Sequence, residues 1–209
     1  PLSAARVVVQ GFGRVGSVLA ELLDDAGARV VAIADDRDAA ANPDGIPVAQ
    51  AVEWMRRNDT VRGTPGATPI ERADIFGVEC DIFVSAGVQH QLDAAAAEQL
   101  TAPVLVEAGN APTTPDADAI LRERNVLVMP DLLAAAGGMV LAYFEWVQDM
   151  QFFFWSEEQV TAELERIMDA AIDEVMAMSR SASVDLRGAA MMVAVNRVAG
   201  ATTLRGLYP

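Results

Sequence analysis

The chain has 209 residues, of which 52% are hydrophobic and 22% charged, and this composition is typical of a globular protein with a sizeable core. Its net charge of −15 would repel nucleic-acid phosphates and anionic membrane surfaces, which argues against both as partners. All 15 basic residues are arginines, which excludes a Schiff-base, P-loop or general-base lysine. The single cysteine, Cys80, excludes an internal disulfide, and we expect no metal site.

The beginning of the sequence has no features of a targeting segment. It opens on Pro1-Leu2-Ser3 and enters a strand-like run directly, without the basic stretch and apolar core of a signal peptide. No apolar run reaches the roughly 18 residues that a membrane span needs. We therefore expect a cytoplasmic protein.

The first 36 residues have the pattern of a βαβ unit. The apolar, β-branched run at 6–10 predicts a buried strand, and apolar residues at three-and-four spacing over 15–23 predict an amphipathic helix that ends near Gly27. A second apolar run at 30–34 predicts the next strand.

The alternation continues further along the chain. Strands are predicted at 81–85, 104–107 and 126–129, helices at 48–57, 94–100 and 115–124, and a loop at 58–69. From residue 132 onward only helices are predicted, at 132–150, 156–178 and 185–199. The expected fold is α/β, with a doubly wound, Rossmann-type, mostly parallel sheet followed by C-terminal helices. We expect a dinucleotide-binding domain over residues 1–150 and a helical extension over residues 151–209 that packs on it.

A glycine motif follows the first predicted strand. Residues 11–16 fit G-x-G-x-x-G, with the helix after it and Asp35 nineteen residues beyond Gly16. A carboxylate there accepts hydrogen bonds from ribose hydroxyls and repels a 2′-phosphate, and Asp36 adds to that repulsion, so we expect NAD rather than NADP. Arg37 could pair with a 2′-phosphate, but balancing its acidic neighbours is the favoured interpretation.

Blocks along nearly the whole chain, in order and spacing, resemble the nucleotide-binding domain of the glutamate dehydrogenase family, which includes leucine, phenylalanine and valine dehydrogenases. The blocks are VQGFGRVG at 9–16, NPDG at 42–45, PTTP at 112–115, PDLLA at 130–134, GG at 137–138, YFEWVQ at 143–148 and the ending LRGLYP at 204–209. The family oxidatively deaminates an amino acid to a 2-oxo acid and ammonia, with hydride passing to the nicotinamide.

The resemblance also implies which parts of the enzyme this chain contains. In the family the catalytic lysine and aspartate belong to an N-terminal substrate domain, which is missing here. The resemblance therefore implies no catalytic residue in this chain, no activity of the chain alone, an amino-acid substrate reached through the missing domain, and a homo-oligomeric parent, a hexamer.

The resemblance further assigns site residues. It implies that the glycine turn holds the pyrophosphate, that Asp35 holds the adenosine ribose, and that Asn110 lies near the nicotinamide ribose. The implied cofactor-binding residues are Gly11, Phe12, Gly13, Arg14, Val15, Gly16, Asp35, Asp36, Ser85, Ala86, Gly87 and Asn110. The implied substrate-proximal residues are Ala135, Gly137, Gly138 and Ala142.

The sequence departs from the family pattern at several of these positions. Arg14 and His90 stand where asparagines are usual, and Ala108-Gly109 inverts the usual order. Ala135 replaces an asparagine beside the nicotinamide, and Ala142 replaces the serine that binds the side-chain carboxylate of glutamate. Neither methyl group can make the lost hydrogen bond.

Three interpretations of function stay open. The chain is the NAD-binding half of an active dehydrogenase for glutamate or an apolar amino acid, a non-catalytic regulatory homologue that binds nucleotide, or a free-standing module that uses NAD as a signal. His90 is favoured as an ordinary loop residue rather than a catalyst.

Overall fold

The computed structural model describes residues 2–206, so the last three residues of the predicted family ending lie outside the described residues. The chain divides into two compact units, Pro1–Asp131 and Leu132–Pro209. The predicted boundary at residue 150 lies within the second of these units. The predicted packing of residues 151–209 on the first domain stays a prediction.

The first unit is built around one sheet. Within residues 2–206, its seven strands are β1 (Arg6–Gln10), β2 (Arg29–Ala34), β3 (Ala39–Ala41), β4 (Thr68–Ile70), β5 (Ile82–Ser85), β6 (Val104–Glu107) and β7 (Leu127–Met129). Their order across the sheet is β4-β3-β2-β1-β5-β6-β7. Strands β2, β1, β5, β6 and β7 pair in parallel, and β3 and β4 add an antiparallel edge. The predicted α/β fold with a mostly parallel sheet is confirmed.

Helices connect the parallel strands. They are α1 (Arg14–Asp25), α2 (Val48–Asn58), a 3₁₀ helix (Arg72–Gly77), α3 (Ala94–Gln99) and α4 (Pro115–Glu123). Local sequence explains where the last two begin, because the side chains of Asp93 and Thr114 accept hydrogen bonds from main-chain N–H groups of the first turn. Pro115 then occupies the first turn of α4, where its missing N–H costs nothing.

The antiparallel edge was not predicted. Residues 58–69 were expected to be loop, but β4 covers Thr68–Ile70 and pairs with β3, which in turn pairs with β2. Each of these two strands has three residues, and alanine and proline have low strand propensity. They form because β2 offers a pairing edge, which a local sequence pattern does not show.

Apolar side chains are buried on both faces of the sheet. Val8 and Phe83 belong to one core cluster, and Val7, Val9 and Ile33 belong to the other. This alternation confirms that the first strand is covered on both sides, as its continuous apolar run predicted. Cys80 lies in the first cluster, and burial raises the pKa of its thiol to about 11. It is therefore a protonated core residue.

The second unit is helical. It contains α6 (Gly137–Gln151), α7 (Glu157–Ala182) and α8 (Leu186–Arg205), and the short α5 (Asp131–Ala134) spans its boundary. The single helix predicted over 132–150 is interrupted by a turn at residues 135–136. The capping box that Ser156 and Gln159 predicted is present at the start of α7.

No helix within residues 2–206 combines the length and apolar character needed to cross a membrane.

Candidate dinucleotide-binding site

The glycine turn after β1 is fixed by close main-chain contacts. Gly11 has a φ of +94°, and a Cβ there would overlap the main chain of Ala86 and Gly87. A Cβ on Gly16 would overlap the carbonyl oxygen of Gly11. A Cβ on Gly13, by contrast, would meet no protein atom within 4 Å. The fold thus requires the first and third glycines, while the space above the second is open.

Helix α1 begins directly after this turn and has an unusual N-terminus. Gly13 is its N-cap residue, so no side chain caps the helix, and its first turn contains no acidic residue. Its first N–H groups and the positive end of the helix dipole therefore have no anionic partner from the helix's own first turn. This is the arrangement in which helices bind phosphate groups.

A pocket of about 310 Å³ opens at the carboxyl ends of β1, β2 and β5. This edge is where the strand order reverses around β1, which is the usual ligand position in such sheets. The residues lining it are Gly11, Phe12, Gly13, Asp35, Asp36, Met55, Ala86, Gly87, Val88 and Gln91. A second pocket shares Gly87 and Val88 with it and adds Gln89 and Asn110.

The structure therefore brings most of the predicted cofactor-binding residues to one edge of the sheet. Arg14, Val15 and Gly16 form the first turn of α1 beside the pocket-lining Gly13. Phe12 borders the pocket although it is buried, and Ser85 is buried as well.

Asp35 is a buried carboxylate at the end of β2. It accepts hydrogen bonds from the main-chain N–H groups of Arg37 (2.7 Å), Asp38 (2.6 Å) and Val61 (2.7 Å). Burial acts to raise the pKa of this carboxyl, but the main-chain donors outweigh it and hold the pKa below its usual value. Asp35 thus fixes the loop after β2, and its predicted role as ribose ligand stays a prediction.

Of the two adjacent aspartates, Asp35 and Asp36, it is Asp36 that has the accessible carboxylate. Its side chain is 79% exposed and it lines the pocket. Arg37 contacts it at 3.5 Å and also contacts the carboxylate of Asp59 at 3.4 Å. The geometry thus agrees with the favoured interpretation of Arg37, which balances its acidic neighbours.

Two glutamines of the site were missed by the sequence analysis. Gln10, at the end of β1, is buried and accepts a hydrogen bond from Ser85 Oγ at 2.8 Å. Its amide nitrogen donates to Gln91, which lines the pocket. Gln10 has a sequence signal, because it is a polar residue at the end of the apolar β1 strand. Gln91 has no such signal, because it lies in a loop whose position depends on long-range contacts.

Hydrogen bonds to two carboxylates hold the loop that carries Asn110 in place. The side chain of Glu107 accepts from the main-chain N–H of Asp131 at 2.9 Å, and the Asp131 carboxylate accepts from that of Ala111 at 2.8 Å. A Cβ on Gly109 would overlap the carbonyl oxygen of Gly87, which explains why glycine is the second member of the inverted pair. Asn110 itself is exposed.

His90 lies in the neighbouring loop. It is exposed, has a left-handed φ of +58°, and its main-chain N–H donates to the carbonyl oxygen of Ala111. Within residues 2–206 no cluster of three or more histidine, cysteine, aspartate or glutamate side chains is arranged to hold a metal ion.

The predicted substrate-proximal residues belong to the second unit. Ala135 is exposed in the turn before α6, and Gly137 and Gly138 open that helix. Ala142 is exposed on α6 rather than turned into a core. Their approach to a substrate stays a prediction.

Comparison with known proteins decides the family. A family model described as Glutamate/Leucine/Phenylalanine/Valine dehydrogenase matches residues 1–206. The chain belongs to this family. It is 43% identical over 206 residues to a glutamate dehydrogenase of Thermotoga maritima, covering 98% of this chain and 50% of that protein. It is 40% identical to an NAD-specific glutamate dehydrogenase of Staphylococcus aureus, covering 98% and 49%.

Solved structures agree with this membership of the glutamate/leucine/phenylalanine/valine dehydrogenase family. A hetero-hexameric glutamate dehydrogenase of Thermus thermophilus, in a leucine-bound form, superposes with a TM-score of 0.93 and 36% identity, over 100% of this chain and 49% of that one. The glutamate dehydrogenase of Peptoniphilus asaccharolyticus gives a TM-score of 0.81 and 32% identity, over 98% and 48%. The predicted family is confirmed, and the chain spans about half the length of the curated relatives it matches.

Proposed function

We propose that this chain is the nucleotide-binding half of an NAD-dependent amino-acid dehydrogenase that converts an L-amino acid to a 2-oxo acid. The observation that carries the proposal is the open space above Gly13, next to the uncapped N-terminus of α1. That cradle fits a pyrophosphate, which needs main-chain N–H donors and close approach to the backbone. The nicotinamide of a bound cofactor would supply the hydride acceptor.

NAD is the proposed cofactor and NADP the less favoured one. The accessible carboxylate of Asp36 would repel a 2′-phosphate at the pocket, and Asp35 behind it adds negative charge. Arg37 is already engaged by Asp36 and Asp59, so it is not a free phosphate ligand. The name of the Staphylococcus aureus relative, an NAD-specific enzyme, supports this choice.

The proposed reaction needs a second domain. The chain contains no lysine, and the family resemblance assigns the catalytic lysine to an N-terminal substrate domain. An exposed apolar face of α6 supports the proposal of a second, covering domain. Its large apolar residues, each more than half exposed, are Met139, Tyr143, Trp146 and Met150. They recur at helical spacing, whereas Phe144 on the other side is buried against Trp155. The assembled parent is proposed to be a homo-oligomer, a hexamer by family resemblance.

A regulatory subunit is the second candidate. Ala135 and Ala142 are exposed methyl groups. By family resemblance, Ala135 replaces an asparagine beside the nicotinamide, and Ala142 replaces the serine that binds the side-chain carboxylate of glutamate. The similar Thermus thermophilus structure is a hetero-hexamer, so a glutamate dehydrogenase assembly can contain more than one kind of subunit. In this alternative the chain keeps the nucleotide site and its parent does not turn over glutamate.

We expect the 209-residue chain alone to show no reduction of NAD with glutamate, leucine or valine. Joined to the N-terminal half of the Thermotoga maritima relative, it is expected to reduce NAD with at least one of them, because that half supplies the missing substrate groups. Absorbance of NADH measures turnover by the chain alone and by the joined protein. The two halves of the Thermotoga maritima relative, joined in the same way, are the control. A joined protein that binds NADH without turnover supports the regulatory alternative, and turnover by the chain alone contradicts the division of roles.

A further inference from the structure

We infer that Gln91 is a further dinucleotide-binding residue, whose side-chain amide nitrogen donates a hydrogen bond to an acceptor oxygen of the cofactor. The inference rests on the function proposed above. Gln91 lines the same pocket as Gly11, Gly13 and Asp36. The sequence motif and the family resemblance did not assign it.

A buried relay engages the oxygen of this amide. Ser85 Oγ donates to Gln10 Oε1 at 2.8 Å, so the Nε2 of Gln10 is turned towards Gln91 and donates to its Oε1. Gln10 is 1% exposed and Ser85 is not exposed, so this relay is shielded from exchange with solvent. In this arrangement the Oε1 of Gln91 accepts from Gln10 and its Nε2 takes no part in that contact.

The Nε2 of Gln91 is the unused end of this relay. Among residues 2–206 it has no hydrogen-bond partner, although the side chain is partly buried at the pocket. The relay also packs against the main chain at Gly87, since a Cβ on Gly87 would overlap Gln91 Oε1. A preoriented pair of N–H donors beside an open pocket suits an acceptor oxygen, such as those of the phosphates and ribose hydroxyls of a dinucleotide.

Two substitutions separate binding from support of the loop. Gln91→Glu keeps an oxygen that accepts from Gln10 but replaces the N–H donors with a negative charge. Gln91→Met keeps the length of the side chain, carries no charge and loses both functions. If Gln91 only supports the loop away from the cofactor, affinity should fall only where the unfolding midpoint falls. A Gln91 that faces the cofactor makes the glutamate variant lose affinity while it stays stable.

The experiment is calorimetric titration of the full chain and both variants with NADH, together with thermal unfolding. We expect the Kd of Gln91→Glu to rise at least tenfold and that of Gln91→Met to rise less, while the methionine variant has the lower unfolding midpoint. Gln99→Glu, at the exposed end of α3, makes the same change in charge away from the pocket and should bind like the wild type.

Wild-type affinity in Gln91→Glu, or tighter binding by it than by Gln91→Met, would overturn the inference and leave the proposed function standing. If the wild-type chain itself does not bind NADH, the proposed function fails, and the inference fails with it.

Discussion

Gly13→Ala is expected to weaken NADH binding at least tenfold while the thermal unfolding midpoint stays near that of the wild type. A Cβ at this position meets no protein atom within 4 Å, so the fold has no reason to change. The same methyl group would occupy the space through which the pyrophosphate approaches the main chain. Gly11→Ala is expected to behave in the opposite way, destabilising the chain by about 2 to 4 kcal/mol through its positive φ and its overlap with Gly87.

Gly77→Ala provides the matched control. Its Cβ also meets no protein atom within 4 Å, but Gly77 ends the 3₁₀ helix and does not line the pocket. It should leave both the Kd and the unfolding midpoint unchanged. Wild-type affinity in Gly13→Ala would mean that no ligand approaches the glycine turn, and the proposed pyrophosphate site would be wrong.

Ala142→Ser combined with Ala135→Asn is expected to raise the kcat/KM ratio of glutamate over leucine about tenfold to a hundredfold in the joined two-domain protein. If these positions face the substrate as the family resemblance implies, the serine restores a charge-assisted hydrogen bond worth roughly 1.5 to 3 kcal/mol. Ala142 is exposed on α6, so the larger side chain needs no space inside a core. Steady-state rates with both amino acids measure the ratio.

Ala170→Ser, on an exposed position of α7, is the control for the added hydroxyl group and should leave the ratio unchanged. An unchanged ratio in the double variant would show that residues 135 and 142 do not contact the substrate. Loss of all activity with either substrate would also contradict the expectation, because neither change removes a group that the reaction needs.

The parts of the fold that the sequence predicts have strong local signals. Strand β1, the glycine turn and α1 follow one another with distinct apolar patterns, and α4 and α7 have side-chain caps at their first turns. The short strands β3 and β4 have no such signal, because they exist only through pairing with β2. Residues 135–136 interrupt a continuous apolar run that by itself predicts one helix.

The site, like the fold, was predictable where its signals are local in the sequence. Glycines of the turn are constrained by neighbouring residues and could be found from their spacing. The hydrogen bond from Val61 to the Asp35 carboxylate joins residues 26 positions apart, so the sequence did not show how fully that carboxylate is used by its own loop. The relay from Ser85 through Gln10 to Gln91 joins residues 75 and 81 positions apart, and only the folded loops bring it to the pocket.

The most direct test of the account is calorimetric titration of the 209-residue chain with NADH and with NADPH. The glycine turn and the uncapped start of α1 predict that NADH binds, and the accessible Asp36 carboxylate predicts a Kd at least tenfold lower than that of NADPH. Equal or tighter binding of NADPH would contradict the cofactor assignment and make Arg37 a phosphate ligand. No binding of either cofactor would contradict the dinucleotide site itself.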